Sequence, residues 1–141
     1  MNREDLEQLV RQVLAEQTRA CPVLLAEAAA QKVSEEDRLD TGDSSHRVYT
    51  HDLFTLSQSP RLGAGIMEMR KTTFPWELCY DEIDYVIAGS LTVIWEGRSV
   101  TARPGQVILI PKGSRIRFSV PDYAKFLYVT YPADWQSQGK H

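Results

Sequence analysis

Two stretches carry the architecture of this chain: WELCYDEIDYVIAG at residues 76–89 and GQVILIPKGSRI at residues 105–116. In the first, Glu82 stands seven residues ahead of Gly89 with an apolar run between them. The second is a Gly-x5-Pro-x-Gly frame built on Gly105, Pro111 and Gly113. Glycine accepts positive φ without steric cost, so Gly89, Gly105 and Gly113 mark tight turns, and Pro111 stiffens a strand end. Around these stretches, residues 47–56, 62–70, 83–88, 91–95, 100–102, 107–110, 115–120 and 125–131 are rich in Val, Ile, Tyr, Phe and Thr. Ser59-Pro60, Gly89-Ser90, Glu96-Gly97, Pro104-Gly105, Lys112-Gly113 and Pro121-Asp122 stand between them as turns. Short strands at this spacing with no helix between them predict an all-β sandwich or barrel, and about eight strands in about 90 residues fits a jelly roll.

The first forty residues differ in character. All eight glycines lie at Gly42 or later, six of the seven prolines at Pro60 or later, and six alanines fall between Ala15 and Ala30. This divides the chain into an N-terminal helical extension, 1–40, and a β domain, 41–141. A helix is predicted over 2–17. Asn2 caps its first N–H groups, Asp5 reciprocates as in a capping box, and Leu6, Leu9, Val10, Val13 and Leu14 form one apolar stripe. Glu7 and Arg11 are spaced for an i,i+4 pair on the wet face. A helix this short is marginal alone in water, so the stripe must dock, either on the β domain or on another protein. A second helix is expected over 22–32, with Pro22 in its first turn.

Sixteen Lys and Arg against nineteen Asp and Glu give a net charge of −3, which argues against a nucleic-acid partner. The apolar run at 21–27 is too short to cross a bilayer, and no basic segment precedes an apolar one at Met1. The expectation is therefore a soluble, cytoplasmic protein with no membrane contact. Cys21 and Cys79 lie far apart, without a CxxC or a nearby His pair, and read as two buried thiols.

In this order and about fifteen residues apart, the two quoted stretches resemble the paired motifs of the cupin superfamily, which implies a cupin-type jelly-roll β-barrel. In metal cupins the first motif supplies two histidines and a glutamate, and the second a third histidine. Those histidine positions hold Trp76, Leu78 and Ile116 here (Pro75 and Glu77 replace the first two if the spacer is one longer), and only Glu82 remains. One carboxylate cannot hold a first-row metal. His46 and His51 precede the first motif, and His141 is the last residue. No tightly bound transition metal is expected.

Strand alternation puts Trp76, Leu78, Tyr80, Glu82 and Asp84 on one face if the strand is unbroken. Ile116 and Phe118 face them from the second motif, and Met67 and Met69 join the lining. The expected interior is apolar and aromatic, with two carboxylates in its wall. Like charges in a low-dielectric cavity raise the pKa of one of them, which suits acid–base or cation-binding work. A plainer alternative has Glu82 bonded to backbone N–H groups and Asp84 meeting solvent or an arginine. Asp81 has the opposite parity and reads as a surface charge.

A closer resemblance runs through RLDTG at 38–42, RVYTHDLF at 47–54, SPRLGAGIMEM at 59–69, TTFPW at 72–76, DEIDYVI at 81–87 and YVTYPADW at 128–135. Over about residues 38–135 these resemble the EutQ family of bacterial ethanolamine utilisation, several of whose members carry a longer N-terminal region. The resemblance implies residence in the ethanolamine-degrading bacterial microcompartment and a homodimer. It also implies a reversible acetate kinase that passes a phosphoryl group between ATP and acetate, forming acetyl phosphate, with a divalent cation such as Mg²⁺. Under that activity Glu82 and Asp84 hold the cation with Tyr80 beside them, and Lys112 or Arg115 near the barrel mouth faces phosphate.

There is no GxxxxGK[ST] loop, and Gly63-Ala-Gly65 reads as a bulge or a close strand crossing. The microcompartment setting makes helix 2–17 a candidate for docking on shell or cargo proteins. Segment 47–56 is the candidate interfacial strand of the dimer. Three functions stand at this point: an acetate kinase with its site in the barrel, a non-catalytic assembly factor that uses the barrel as a platform, and a small-molecule binder without turnover.

Overall fold

The computed structural model describes residues 2–18 and 22–138, with only the backbone described for 13–18. Helix α1 spans Arg3–Thr18. Its start is the reciprocal cap read from the sequence: the Asp5 N–H donates to Asn2 Oδ1 at 2.8 Å and the Asn2 N–H to Asp5 Oδ2 at 3.3 Å. Glu7 pairs with Arg3 at 3.2 Å rather than standing only opposite Arg11. Leu6, Leu9 and Val10 keep about half of their surface exposed, at 52%, 46% and 49%. The Val13 and Leu14 side chains, Cys21 and His141 lie outside the described residues.

The second helix, expected over 22–32, does not form. The segment runs irregularly with one turn at 28–30. The Lys125 ammonium donates to the carbonyls of Ala29 at 2.8 Å and Gln31 at 2.6 Å. Alanine propensity is a weak force beside a cation that satisfies main-chain acceptors from outside the segment. A 3-10 turn, Glu35–Asp37, follows. The chain then joins the barrel at Leu39, whose N–H donates to the Val48 carbonyl at 2.9 Å.

Seven strands follow: β1 (Arg47–Asp52), β2 (Gly63–Glu77), β3 (Asp81–Gly89), β4 (Leu91–Trp95), β5 (Arg98–Ala102), β6 (Val107–Ile110) and β7 (Arg115–Tyr131). One layer is ordered β1-β2-β7-β3-β6, and β4 joins β5 to the other half of β7. All pairings are antiparallel. The two long strands serve both layers and bend together. The β2–β7 register slips between Arg70 and Thr72, where Lys71 has φ 44° and faces the β7 residues Pro121 and Asp122. The expected turn at Pro121-Asp122 is therefore a corner inside one continuous strand. A proline without an N–H is tolerated at a bulge.

Gly89, Gly105 and Gly113 have φ of 73°, 89° and 91°, as the two motifs require. Phe74, Phe118 and Phe126 fill the space between the layers with Val48, Met69, Leu78, Val86, Leu91 and Val120. β5 and β6 each pair on one side only, which leaves a cleft of about 480 Å³ between them. Ile116, Ile108, Ile110 and Ala102 are among its walls, and no titratable side chain lines it.

Candidate functional site

Alternation along β3 turns Glu82 and Asp84 inward and Ile83 and Tyr85 outward, and the two acids are 6% and 0% exposed. The strand expected to run unbroken from Trp76 to Asp84 stops at Glu77 and restarts at Asp81. The connection is stitched to the second motif: Leu78 N–H donates to the Ser114 carbonyl at 2.9 Å, and Gly113 N–H to the Leu78 carbonyl at 2.7 Å. Asp81, exposed as its parity required, accepts the Lys112 N–H at 2.8 Å. Trp76 and Tyr80 still meet, because Trp76 Nε1–H donates to the Tyr80 hydroxyl at 2.8 Å.

An inner cavity of about 10 Å³ lies over Glu82, walled by Met67, Phe74, Trp76, Tyr80, Phe118 and Tyr128 and closed by Leu39, Thr50 and Trp135. Of the residues expected to line it, Trp76, Tyr80, Glu82, Phe118 and Met67 do so. Leu78, Met69 and Asp84 are at 0% exposure and do not line it, and Ile116 faces the cleft between β5 and β6. Trp135 was missed. It sits on the 3-10 turn Trp135–Ser137 and contacts the rings of Trp76, Tyr80 and Tyr128 at centroid distances of 6.3, 5.7 and 5.8 Å.

The glycines of Gly63-Ala-Gly65 explain how Tyr128 and Thr130 fit beneath it. A Cβ at Gly65 would collide with the Tyr128 hydroxyl, and one at Gly63 with Thr130 Oγ1. The pair is thus a close strand approach and not a phosphate loop. The phenol of Tyr128 lies over Gly65 and donates to Asp52 Oδ1 at 2.6 Å.

Lys112 and Arg115 do not join the site. Both are exposed. Arg115 is on the outward parity of β7, with its side chain 83% exposed and 3.6 Å from Glu77. His46 and His51 lie on the N-terminal side of the barrel, where His51 Nδ1 meets Asp37 at 3.1 Å and His46 Nδ1 meets Thr41 Oγ1 at 2.7 Å.

Counted as two carboxylates, Oε2 of Glu82 and both oxygens of Asp84 are buried without a donor. One proton held between the two groups joins at most two of these three oxygens. Burial pushes Glu82 from an ordinary value near 4.5 up to about 7. Burial, with the charge of Glu82 beside it, drives Asp84 well above its ordinary value, and the two titrate as a pair. Tyr80 and Tyr128 are pushed up by burial and stay protonated.

This pair does not fit Mg²⁺. That ion keeps several waters in an octahedral shell, and the space beside Glu82 takes about one water-sized group. Among the described residues no three His, Cys, Asp or Glu side chains are grouped to hold a metal. A second cleft of about 240 Å³, outside the plug, shares Leu39, Thr50, Trp76 and Trp135 with the inner cavity and adds Arg38, Asp40 and Gln136.

The jelly roll and its two stitched motifs define a cupin-type barrel. A cupin superfamily protein of Desulfitobacterium hafniense shares the fold at 14% identity, with a TM-score of 0.57 over 81% of this chain and 96% of that one. The model of the family described as ethanolamine utilisation protein EutQ matches residues 1–137, and the chain belongs to that family.

A Clostridioides difficile protein named acetate kinase EutQ is 69% identical over 107 residues, covering 76% of this chain and 68% of that one. The Salmonella typhimurium protein of the same name is 46% identical over 96 residues, 68% of this chain and 42% of its own length. The chain thus spans about two-thirds of the first relative and about two-fifths of the second. The solved structure of the Clostridium difficile EutQ protein matches with a TM-score of 0.75 at 68% identity, over 77% of this chain and 80% of that one.

The shared proton has a consequence for stability. The unfolded chain ionises both carboxyl groups near their ordinary values, while folded Glu82 keeps its proton to about 7 and folded Asp84 is raised as well. The Glu82 part of this contribution is therefore full below about pH 4.5 and is lost as pH rises through about 7, and the Asp84 part, whose folded value is also raised, is lost in the same direction. Glu82→Gln should remove the Glu82 part of that slope, leaving that of Asp84, and be more stable than the wild type at pH 8 by on the order of 1–3 kcal/mol. Urea unfolding of both proteins at pH 5 and pH 8 measures the difference. Parallel profiles would contradict the shared proton.

Proposed function

We propose that this chain is an acetate kinase of ethanolamine utilisation, moving a phosphoryl group between ATP and acetate with a divalent cation, in the bacterial microcompartment. Its 69% identity to a protein of that name carries the reading. The placement of chemistry within it differs from the sequence expectation. Phosphoryl transfer requires positive charge on the phosphates and room for a nucleotide. The inner cavity offers about 10 Å³ and no cationic side chain.

The barrel mouth is the better setting. Its two adjoining clefts, about 240 and 480 Å³, share Arg38, Leu39 and Asp40. Arg38 is the cation among their lining residues, held by Glu35 at 3.4 Å, by the His46 carbonyl at 3.1 Å and over the Tyr49 ring at 5.8 Å. It is assigned to the phosphates in place of Lys112 and Arg115.

The partners follow from exposed apolar surface. Ile83 pairs across strands with Leu109, and Tyr85 with Val107, and these four are 42%, 66%, 42% and 57% exposed. This outer face of β3 and β6 is assigned to a second copy of the chain. The outer side of β1, expected for that role, is in part occupied by the N-terminal segment: Tyr49 donates to Glu35 at 3.0 Å and His51 meets Asp37. The half-exposed stripe of α1 is assigned to shell or cargo proteins, which supports an assembly role alongside the enzymatic one.

Incubation with acetate, ATP and Mg²⁺, with acetyl phosphate trapped by hydroxylamine, tests the activity. The wild type should form product. Arg38→Gln should lose tenfold or more, Arg38→Lys less, and Glu82→Gln should keep most of it. A wild type without product contradicts the kinase reading, and loss in Glu82→Gln alone returns the chemistry to the barrel. Light scattering tests the interface: the wild type should weigh twice 16.0 kDa and Leu109→Glu once. A monomeric wild type contradicts it.

A further inference from the structure

We propose that the floor of the barrel binds the ammonium group of a small primary amine, seated against Glu82 and walled by Trp76, Tyr80, Tyr128 and Trp135. The residues lining this cavity include no Lys, Arg or His. Among the described residues Glu82 is the one acidic residue that lines it. An anion entering the cavity would meet a carboxyl pair with no counter-charge, whereas a cation would find one.

The walls suit a cation as well. The faces of indole and phenol rings carry negative potential and attract ammonium groups when desolvated. Trp135 gathers Trp76, Tyr80 and Tyr128 around the cavity at centroid distances of 6.3, 5.7 and 5.8 Å. Tyr80 already accepts from Trp76 Nε1–H and Tyr128 already donates to Asp52, so both phenol oxygens are fixed in place and retain accepting capacity. An –NH3⁺ group carries three donors and no acceptor, which matches a pocket of acceptors and ring faces.

Size selects within the class. About 10 Å³ holds one water-sized group. A primary ammonium head is of that size, and a quaternary ammonium is not. Leu39, Thr50, Trp76 and Trp135 wall both this cavity and the outer cleft, where Asp40 and Gln136 stand within reach of a short polar tail. Ethanolamine, the compound in the family's description, has an ammonium head, two carbons and a hydroxyl, and so is the natural probe. The inference does not rest on phosphoryl transfer. Binding is measured without nucleotide, so either reading can fail alone.

Full-length protein is titrated with ethanolamine and with methylammonium, and with ethylene glycol and tetramethylammonium as controls, by calorimetry and by NMR of the indole N–H groups. Both primary amines should bind at one site per chain and shift the Trp76 and Trp135 signals, while Trp95 on β4 stays in place. Neither control should bind, and Glu82→Gln should weaken both amines tenfold or more. The proposal is overturned if neither amine binds, if the diol binds as well as ethanolamine, if Trp95 shifts in place of the other two, or if Glu82→Gln binds with unchanged affinity. Should that variant fail to fold, the wild-type indole shifts and the two controls decide alone.

Discussion

Two carboxyl groups, placed two residues apart on one face of β3 and shut inside an apolar barrel, constrain everything around them. Asp84 is fully buried and Glu82 nearly so, and both ionised at once would set like charges together in a low-dielectric interior. Keeping a proton between Asp84 and Glu82 resolves this, but only while the barrel stays closed. Closure is distributed over the chain. Leu39 comes from the N-terminal segment, Thr50 from β1, Trp76 from β2 and Trp135 from the last turn, and together they plug the mouth. Gly63 and Gly65 contribute by omission, because the bare backbone lets Tyr128 and Thr130 lie across β2.

The frame of a cupin and its metal cage are separable. Turns at Gly89, Gly105 and Gly113 and the hydrogen bonds between Leu78, Gly113 and Ser114 position the inward residues whatever their chemistry. Here those positions carry Trp76, Leu78 and Ile116, and their fates differ. Trp76 walls the cavity, Leu78 disappears into the core, and Ile116 faces the far cleft. Fold therefore fixes where a side chain stands, and the chemistry has to be argued from what stands there.

Much of this was legible from residue order. The reciprocal Asn2–Asp5 cap, the glycine turns and the inward parity of Glu82 and Asp84 are local properties, set by one strand or one turn. What escaped was non-local. Pro121-Asp122 looks like a turn until β2 runs past it with Lys71 opposite. Residues 22–32 look helical until Lys125, almost a hundred positions away, claims their carbonyls. Lys112 and Arg115 belong to the second motif, but parity sends Arg115 outward and the turn sends Lys112 to solvent. Trp135 gave no periodic signal, since it follows the last strand. Its only trace was its place in the YVTYPADW stretch.

Carboxyl ¹³C NMR of protein labelled at Asp and Glu side chains, followed from pH 4 to pH 9, reads the ionisation of Glu82 and Asp84 without perturbing either. The account predicts that Glu82 titrates near pH 7 and that Asp84 stays protonated beyond the range of the exposed acids. Two carbons already ionised at pH 5, moving with the surface carboxylates, would contradict it.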